Sequence, residues 1–137
     1  MRQRLPIVLA ALWWGSLSTL GFMVVPMLFA VLPTPAIAGG MAAKLFTAQT
    51  WLSMACTVLL LLIFRSKQAL TQVESAPVAT IFIAFGFFAA VLVEFAVSPH
   101  IVARENLKLW HGVGTGLYLL QWLAAGATLW KVSTPRA

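Results

Sequence analysis

The chain has 137 residues, 61% hydrophobic and 9% charged, with a mean hydropathy of +0.95. A water-soluble domain carries charge on about a quarter of its residues, so this composition excludes a soluble fold and leaves no room for a second domain. The net charge of +6 would suggest nucleic acid on a soluble protein, but here the basic residues flank apolar runs, where they act as topology signals.

The first apolar run covers about residues 5–32, LPIVLAALWWGSLSTLGFMVVPMLF and its continuation, and Pro26 is expected to kink its outer end. Arg2 and Arg4 ahead of this run, and Ala36-Ile37-Ala38 after it, imitate a signal peptide. The run is far longer than the roughly 7–15 residues of a signal core, so an uncleaved helix is expected. The second span covers about 41–64 and contains the single cysteine, Cys56, which has no partner for an internal disulfide and reads as inert. The third covers about 78–98. The fourth, about 110–130, is bracketed by Trp110 and Trp130. Their spacing corresponds to about 30 Å of helix, one hydrocarbon core with an indole at each interface. Three short connections, PTPAIAGG, RSKQALTQVESAP and PHIVARENLKL, read as loops marked by Pro, Gly or charge.

The expected architecture is therefore all-α: a single-domain, multi-pass, integral membrane four-helix bundle in the lipid bilayer. Orientation follows from Lys and Arg counted on alternate sides. Arg2, Arg4, Arg65, Lys67, Lys131 and Arg136 fall on the side of both termini, against Lys44, Arg104 and Lys108 on the other, which makes both termini cytoplasmic.

That topology gathers the polar residues at the outer end. Lys44 opens the second helix, with Gln49 a little deeper; Glu94 ends the third; His100, Arg104 and Glu105 lie in the loop; His111 opens the fourth. On the fourth helix His111, Thr115, Tyr118 and Gln121 share a face, and Gln121 near mid-bilayer must turn toward protein, because an unpaired amide in hydrocarbon costs several kcal/mol. On the second, Lys44, Thr47, Trp51 and Ala55 share a face. On the third, Gly86, Ala90 and Glu94 form a small-residue groove for helix packing. Gly112 and Gly116 make a GxxxG pair that suits the first helix or a second protomer.

Each polar residue has a bland reading beside the functional one. An intramembrane carboxylate needs a partner whatever its job, so Glu94 is expected to pair with Lys44 or Arg104. Breaking such a semi-buried Lys44–Glu94 pair would cost roughly 3–5 kcal/mol. The functional reading makes Glu94 a proton carrier or cation ligand. His111 reads equally as a hydrogen-bonded packing residue or a ligand, and His100 as a solvated loop residue. The tryptophans Trp13, Trp14, Trp51, Trp110, Trp122 and Trp130 read as belt or packing residues, and Met23, Met27, Met41 and Met54 as filler. Glu94, His100 and His111 are the candidate ligands for a mixed N/O metal site. There is no Ser/His/Asp set, Walker loop, GxGxxG motif or zinc spacing, and a loop His100 is poorly placed to share a haem with His111. The expectation leans away from an enzyme, with no cofactor and no nucleic acid.

The runs WWGSLSTLGFMVVPMLF, AGGMAAKLFTAQTWLS and FAVSPHIVARENLKLWHGVGTGLYLLQW resemble a bacterial family of small membrane proteins, the domain of unknown function family four-one-four-nine. That family is related to eukaryotic transmembrane protein two-zero-five. The resemblance extends from Leu9 to Trp130 and rests on Gly15, Pro26 and Phe29, on the AGxxAxxLF entry to the second helix, and on the LWHG start of the fourth. It implies four helices in the inner membrane with the signature residues near one face, and it supplies no reaction. The eukaryotic relatives are associated with tolerance to metal-containing drugs. The first helix also resembles small haem-associated oxidases of porphyrin synthesis, but it lacks their histidine. Transport or homeostasis of a cation or cationic solute is the leading expectation. The alternatives are an assembly subunit, as a homo-oligomer or with a membrane partner, and a haem- or metal-bearing membrane enzyme with His111 as ligand.

Overall fold

The computed structural model describes residues 4–71 and 76–134, and these are wholly helical apart from two short connections. Helix α1 runs through Leu5–Val31, α2 through Pro35–Thr71, α3 from Ala76–Leu92 onward to Val102, and α4 through Leu107–Ser133. Among the described residues three helices are long and apolar enough to cross a membrane: Leu5–Val31, Pro35–Ser66 and Val78–Val102. The Trp-bracketed helix α4, expected to be the clearest span, is long enough but is not one of the three. Gly112, Gly114, Thr115, Gly116, Tyr118, Gln121 and Gly126 dilute its apolar content.

The helix boundaries extend further than composition suggested. Pro35 starts α2 six residues ahead of the expected Met41, because the Thr34 hydroxyl accepts the Ile37 amide (3.2 Å) and caps the helix, while Pro35 supplies a first-turn φ without losing a needed donor. PTPAIAGG is thus mostly helix. At its other end α2 continues to Thr71 instead of stopping near Phe64. Helix α3 runs on to Val102 through Pro99, so His100 sits on a helix and not in a loop. That helix closes with a reverse turn in which the Glu105 amide bonds the His100 carbonyl and the Arg104 amide bonds the Ile101 carbonyl, with Arg104 at φ 57°. Of the charges counted for orientation, Arg2 and Arg136 lie outside the described residues.

Both α1 and α3 carry a π turn, at Leu20–Val24 and Val93–Val97. Proline explains both. Pro26 would clash with the carbonyl of Phe22, and Pro99 with that of Phe95; each target lies inside its π turn, where the widened ladder relieves the clash and absorbs the missing N–H. Pro26 is therefore accommodated by the π turn that precedes it.

The four helices pack side by side, α1 against α2 and α4, α3 against α2 and α4. Their shared core holds Leu9, Ala10, Trp13 and Leu17 of α1, Cys56, Leu60 and Phe64 of α2, Ala79 and Ile83 of α3, and Ala125 of α4. Polar residues are buried among them: Gln49, Thr50, Ser53, Thr57, Gln121 and Thr128. Large hydrocarbon side chains such as Leu62, Ile81, Phe88 and Leu123 point outward. Apolar outside with a hydrogen-bonded polar seam inside is the distribution a lipid solvent selects.

Candidate functional site

The polar seam is assembled helix by helix. Trp13 is fully buried, and its indole Nε1 donates to Gln121 Oε1 at 3.2 Å. The ring fits only because residue 86 is glycine, since a Cβ there would lie 2.3 Å from it. Gln121 thus faces protein, as its depth required, and Gly86 and the fully buried Ala90 serve close packing. One layer away Gln49 donates from Nε2 to Ser16 Oγ (2.9 Å) and Ser53 Oγ (3.2 Å), which ties α1 to α2. Trp122 donates to Ser18 Oγ at 2.8 Å and stacks on Trp14.

Tyr118 meets α1 at the start of the first π turn. Its hydroxyl donates to the Leu17 carbonyl at 2.5 Å, and its ring lies directly against Gly21. The chain widens into its π turn three residues beyond Leu17, at Leu20.

Beyond Tyr118, toward the ends where α1 and α3 finish and α2 and α4 begin, the helices part around a cavity of about 390 Å³. Its walls are largely hydrocarbon, including Phe22, Val25, Phe29, Phe46, Val97, Ile101 and Leu119. The polar groups on it are Glu94, Ser98, His111, Thr115 and Tyr118. Both π turns contribute, Gly21 and Phe22 from the first and Val93, Glu94 and Val97 from the second. Three of the four residues of the expected α4 stripe therefore line this cavity, and the fourth, Gln121, is buried.

Glu94 is half-buried, and the Thr47 hydroxyl lies 3.2 and 3.3 Å from its two oxygens. No ion pair joins it to Lys44 or Arg104. The expected partners fail for reasons of phase: Lys44, Trp51 and Ala55 are exposed, so of that proposed α2 face only Thr47 turns inward. The buried residues of α2 are Ala38, Ala42, Gln49, Thr50, Ser53, Cys56, Thr57, Leu60 and Phe64. Among the described residues the one close contact between a basic side chain and a carboxylate is His100 Nδ1 with Glu105 (2.6 Å), and His100 also stacks on Trp110 with centroids 4.0 Å apart. His100 thus lies on the last turn of α3 and not in a loop, with its ring still partly exposed. Glu94, His100 and His111 form no ligand cluster, for among the described residues no group of three or more His, Cys, Asp or Glu is placed to hold a metal ion. Because Lys44 has no carboxylate partner, Lys44→Ala is expected to leave the unfolding midpoint in detergent unchanged. A large loss of stability would restore the buried pair.

Thr47 and Trp13 are the residues whose roles the sequence concealed. For Thr47 the signal lay in α3: a proline five residues after Glu94, inside an apolar run, marks a π turn and changes which neighbour the carboxylate meets. The GxxxG pair does not pack on α1. Cβ atoms built at Gly112 and Gly116 would meet open space.

Long helices with hydrocarbon outside, a hydrogen-bonded seam inside and a carboxylate-bearing cavity at one end define an integral, multi-pass membrane protein. Within that class the chain belongs to the DUF4149 family, a domain of unknown function whose model matches residues 8–108. The match takes in α1 to α3 and ends before LWHG, short of the Trp130 to which the resemblance was expected to reach. No curated protein and no solved structure matches significantly.

Proposed function

We propose that this protein is a four-helix bundle of the inner membrane, with both termini cytoplasmic, that binds a cationic solute at its outward end and serves in the transport or homeostasis of that solute. The observation that carries the reading is Glu94: a carboxylate on a mostly hydrocarbon cavity that, among the described residues, is hydrogen-bonded to Thr47 and held in no ion pair. A charge in such surroundings gains most from a counterion. Among the described residues no Lys, Arg or His is paired with it, so a cationic solute can serve as the counterion. His111, Thr115 and Tyr118 on the same wall supply further hydrogen-bonding groups. The excess of Lys and Arg on the side of the termini supports the orientation. The reading needs neither a cofactor nor nucleic acid.

The test is complementation. A strain lacking the protein is challenged with a panel of inorganic and organic cations, and tolerance is restored with wild type, Glu94→Gln or His111→Ala. Glu94→Gln is expected to accumulate in the membrane at wild-type level and to lose the phenotype, with His111→Ala weakened. Wild-type behaviour of Glu94→Gln ends this reading.

A second reading, an assembly subunit, is favoured by one observation. Gly112 and Gly116 lie exposed one helical turn apart with open space before them, so another helix can approach closely there. Gly112→Leu and Gly116→Leu are expected to leave the monomer folded and to abolish any stoichiometric complex seen by crosslinking in native membranes. Wild-type protein that stays monomeric there rules out the assembly role.

A further inference from the structure

We propose that the solute of the Glu94 cavity is an organic cation with a hydrophobic body, its charge set against Glu94 and its apolar part against Phe22, Phe29 and Phe46. This rests on reading Glu94 as the receptor for a cation. The walls carry the added specificity. A hard metal ion asks for several oxygen ligands, about six to eight for calcium, and the cavity offers a single carboxylate. Among the described residues no set of three or more His, Cys, Asp or Glu supplements it. A hydrated inorganic ion would leave the phenylalanine surface against water, with nothing to gain from it.

The cavity suits a larger guest. Its volume of about 390 Å³ lies within the range of small-molecule sites, about 300–1,000 Å³. Phe46 meets Tyr118 edge to face, centroids 5.5 Å apart at 79°, so aromatic groups sit next to Thr47 and the carboxylate it holds. Aromatic faces attract a desolvated cation, and organic ammonium or phosphonium groups lose little hydration on reaching them. The two π turns that bound the cavity fit this use, because such turns recur where a backbone is reshaped for a ligand. A neutral hydrophobe of the same shape would fill the walls and leave Glu94 without a counterion.

Equilibrium dialysis of tetraphenylphosphonium against the protein in lipid nanodiscs, with empty nanodiscs as the blank, tests this. Saturable binding is expected, weakened about tenfold or more by Glu94→Gln, a change of about 1.4 kcal/mol. Phe29→Ala should weaken it while leaving helicity intact, and neutral triphenylphosphine oxide should not compete. Equal binding by Glu94→Gln, or full competition by the neutral oxide, overturns the proposal. Should Glu94→Gln fail to fold, the Phe29→Ala variant and the charge selectivity decide. If potassium, magnesium or tetramethylammonium binds in a Glu94-dependent way and tetraphenylphosphonium does not, the hydrophobic class fails and the cation reading stands. If no cation binds in a Glu94-dependent way, both fail.

Discussion

Trp13→Ala is expected to be the most destabilising single change in the membrane core, costing about 3 kcal/mol. Removing a buried tryptophan costs about 3–5 kcal/mol in water-soluble proteins, as a transfer term plus a cavity term. In a bilayer the transfer term shrinks, since separated helices remain in hydrocarbon, and the packing loss stays. At Trp13 that loss is large because the ring is fully buried and fits into the notch that Gly86 leaves on α3. The variant also strands Gln121, whose carbonyl oxygen takes the indole N–H. Trp13→Phe separates the two effects. It keeps most of the ring and loses the donor, at about 1–2 kcal/mol for a buried acceptor left unpaired. Adding Gln121→Leu should then recover part of the loss, since removing both partners of a buried hydrogen bond is less costly than removing one. Unfolding in mixed detergent micelles measures all three variants. An unchanged midpoint for Trp13→Ala would remove Trp13 from the core.

Gly21→Val is expected to affect both stability and the cavity. A Cβ at residue 21 would sit 2.6 Å from Tyr118 Cε1 and 3.0 Å from its hydroxyl oxygen, so the phenol must leave its place between Leu17 and Gly21. Overpacking of this kind costs about 1–3 kcal/mol. The displaced ring also has to move relative to Phe46, with which it forms an aromatic pair on the cavity wall. Binding to the cavity should therefore fall together with stability. Tyr118→Phe is the control, for it deletes the hydroxyl and keeps the ring, so it should lower stability slightly and spare the cavity volume. If Gly21→Val unfolds at the wild-type midpoint, Tyr118 is not packed against Gly21.

The inward turn of Gln121 and the packing role of Gly86 and Ala90 were legible because each rests on one strong local constraint, the cost of an amide in hydrocarbon or the close approach that a missing side chain allows. The α4 stripe was legible for the same reason, and it led to the cavity. The partner of Glu94 was not legible. A helical wheel takes a constant 100° per residue, and the π turn at Val93–Val97 breaks that assumption at the residue in question. The expected ion pair with Lys44 depended on an α2 face that does not point inward, because α2 packs through the phase set by Ser53, Thr57 and Leu60.

The amino-acid sequence alone determined that this is an all-helical membrane protein, roughly where its helices run, and which residues are polar where lipid forbids it. These follow from composition, from segment length and from hydrogen-bonding demands that each segment carries with it. Only the tertiary structure decided that Trp13 lies in the notch at Gly86, that Tyr118 reaches the Leu17 carbonyl of α1, and that Glu94 rests on Thr47 at a hydrocarbon cavity. Those outcomes depend on the relative rotation of neighbouring helices. That rotation is set by side-chain packing between residues as much as 108 positions apart, as Trp13 and Gln121 are, and no local pattern encodes it.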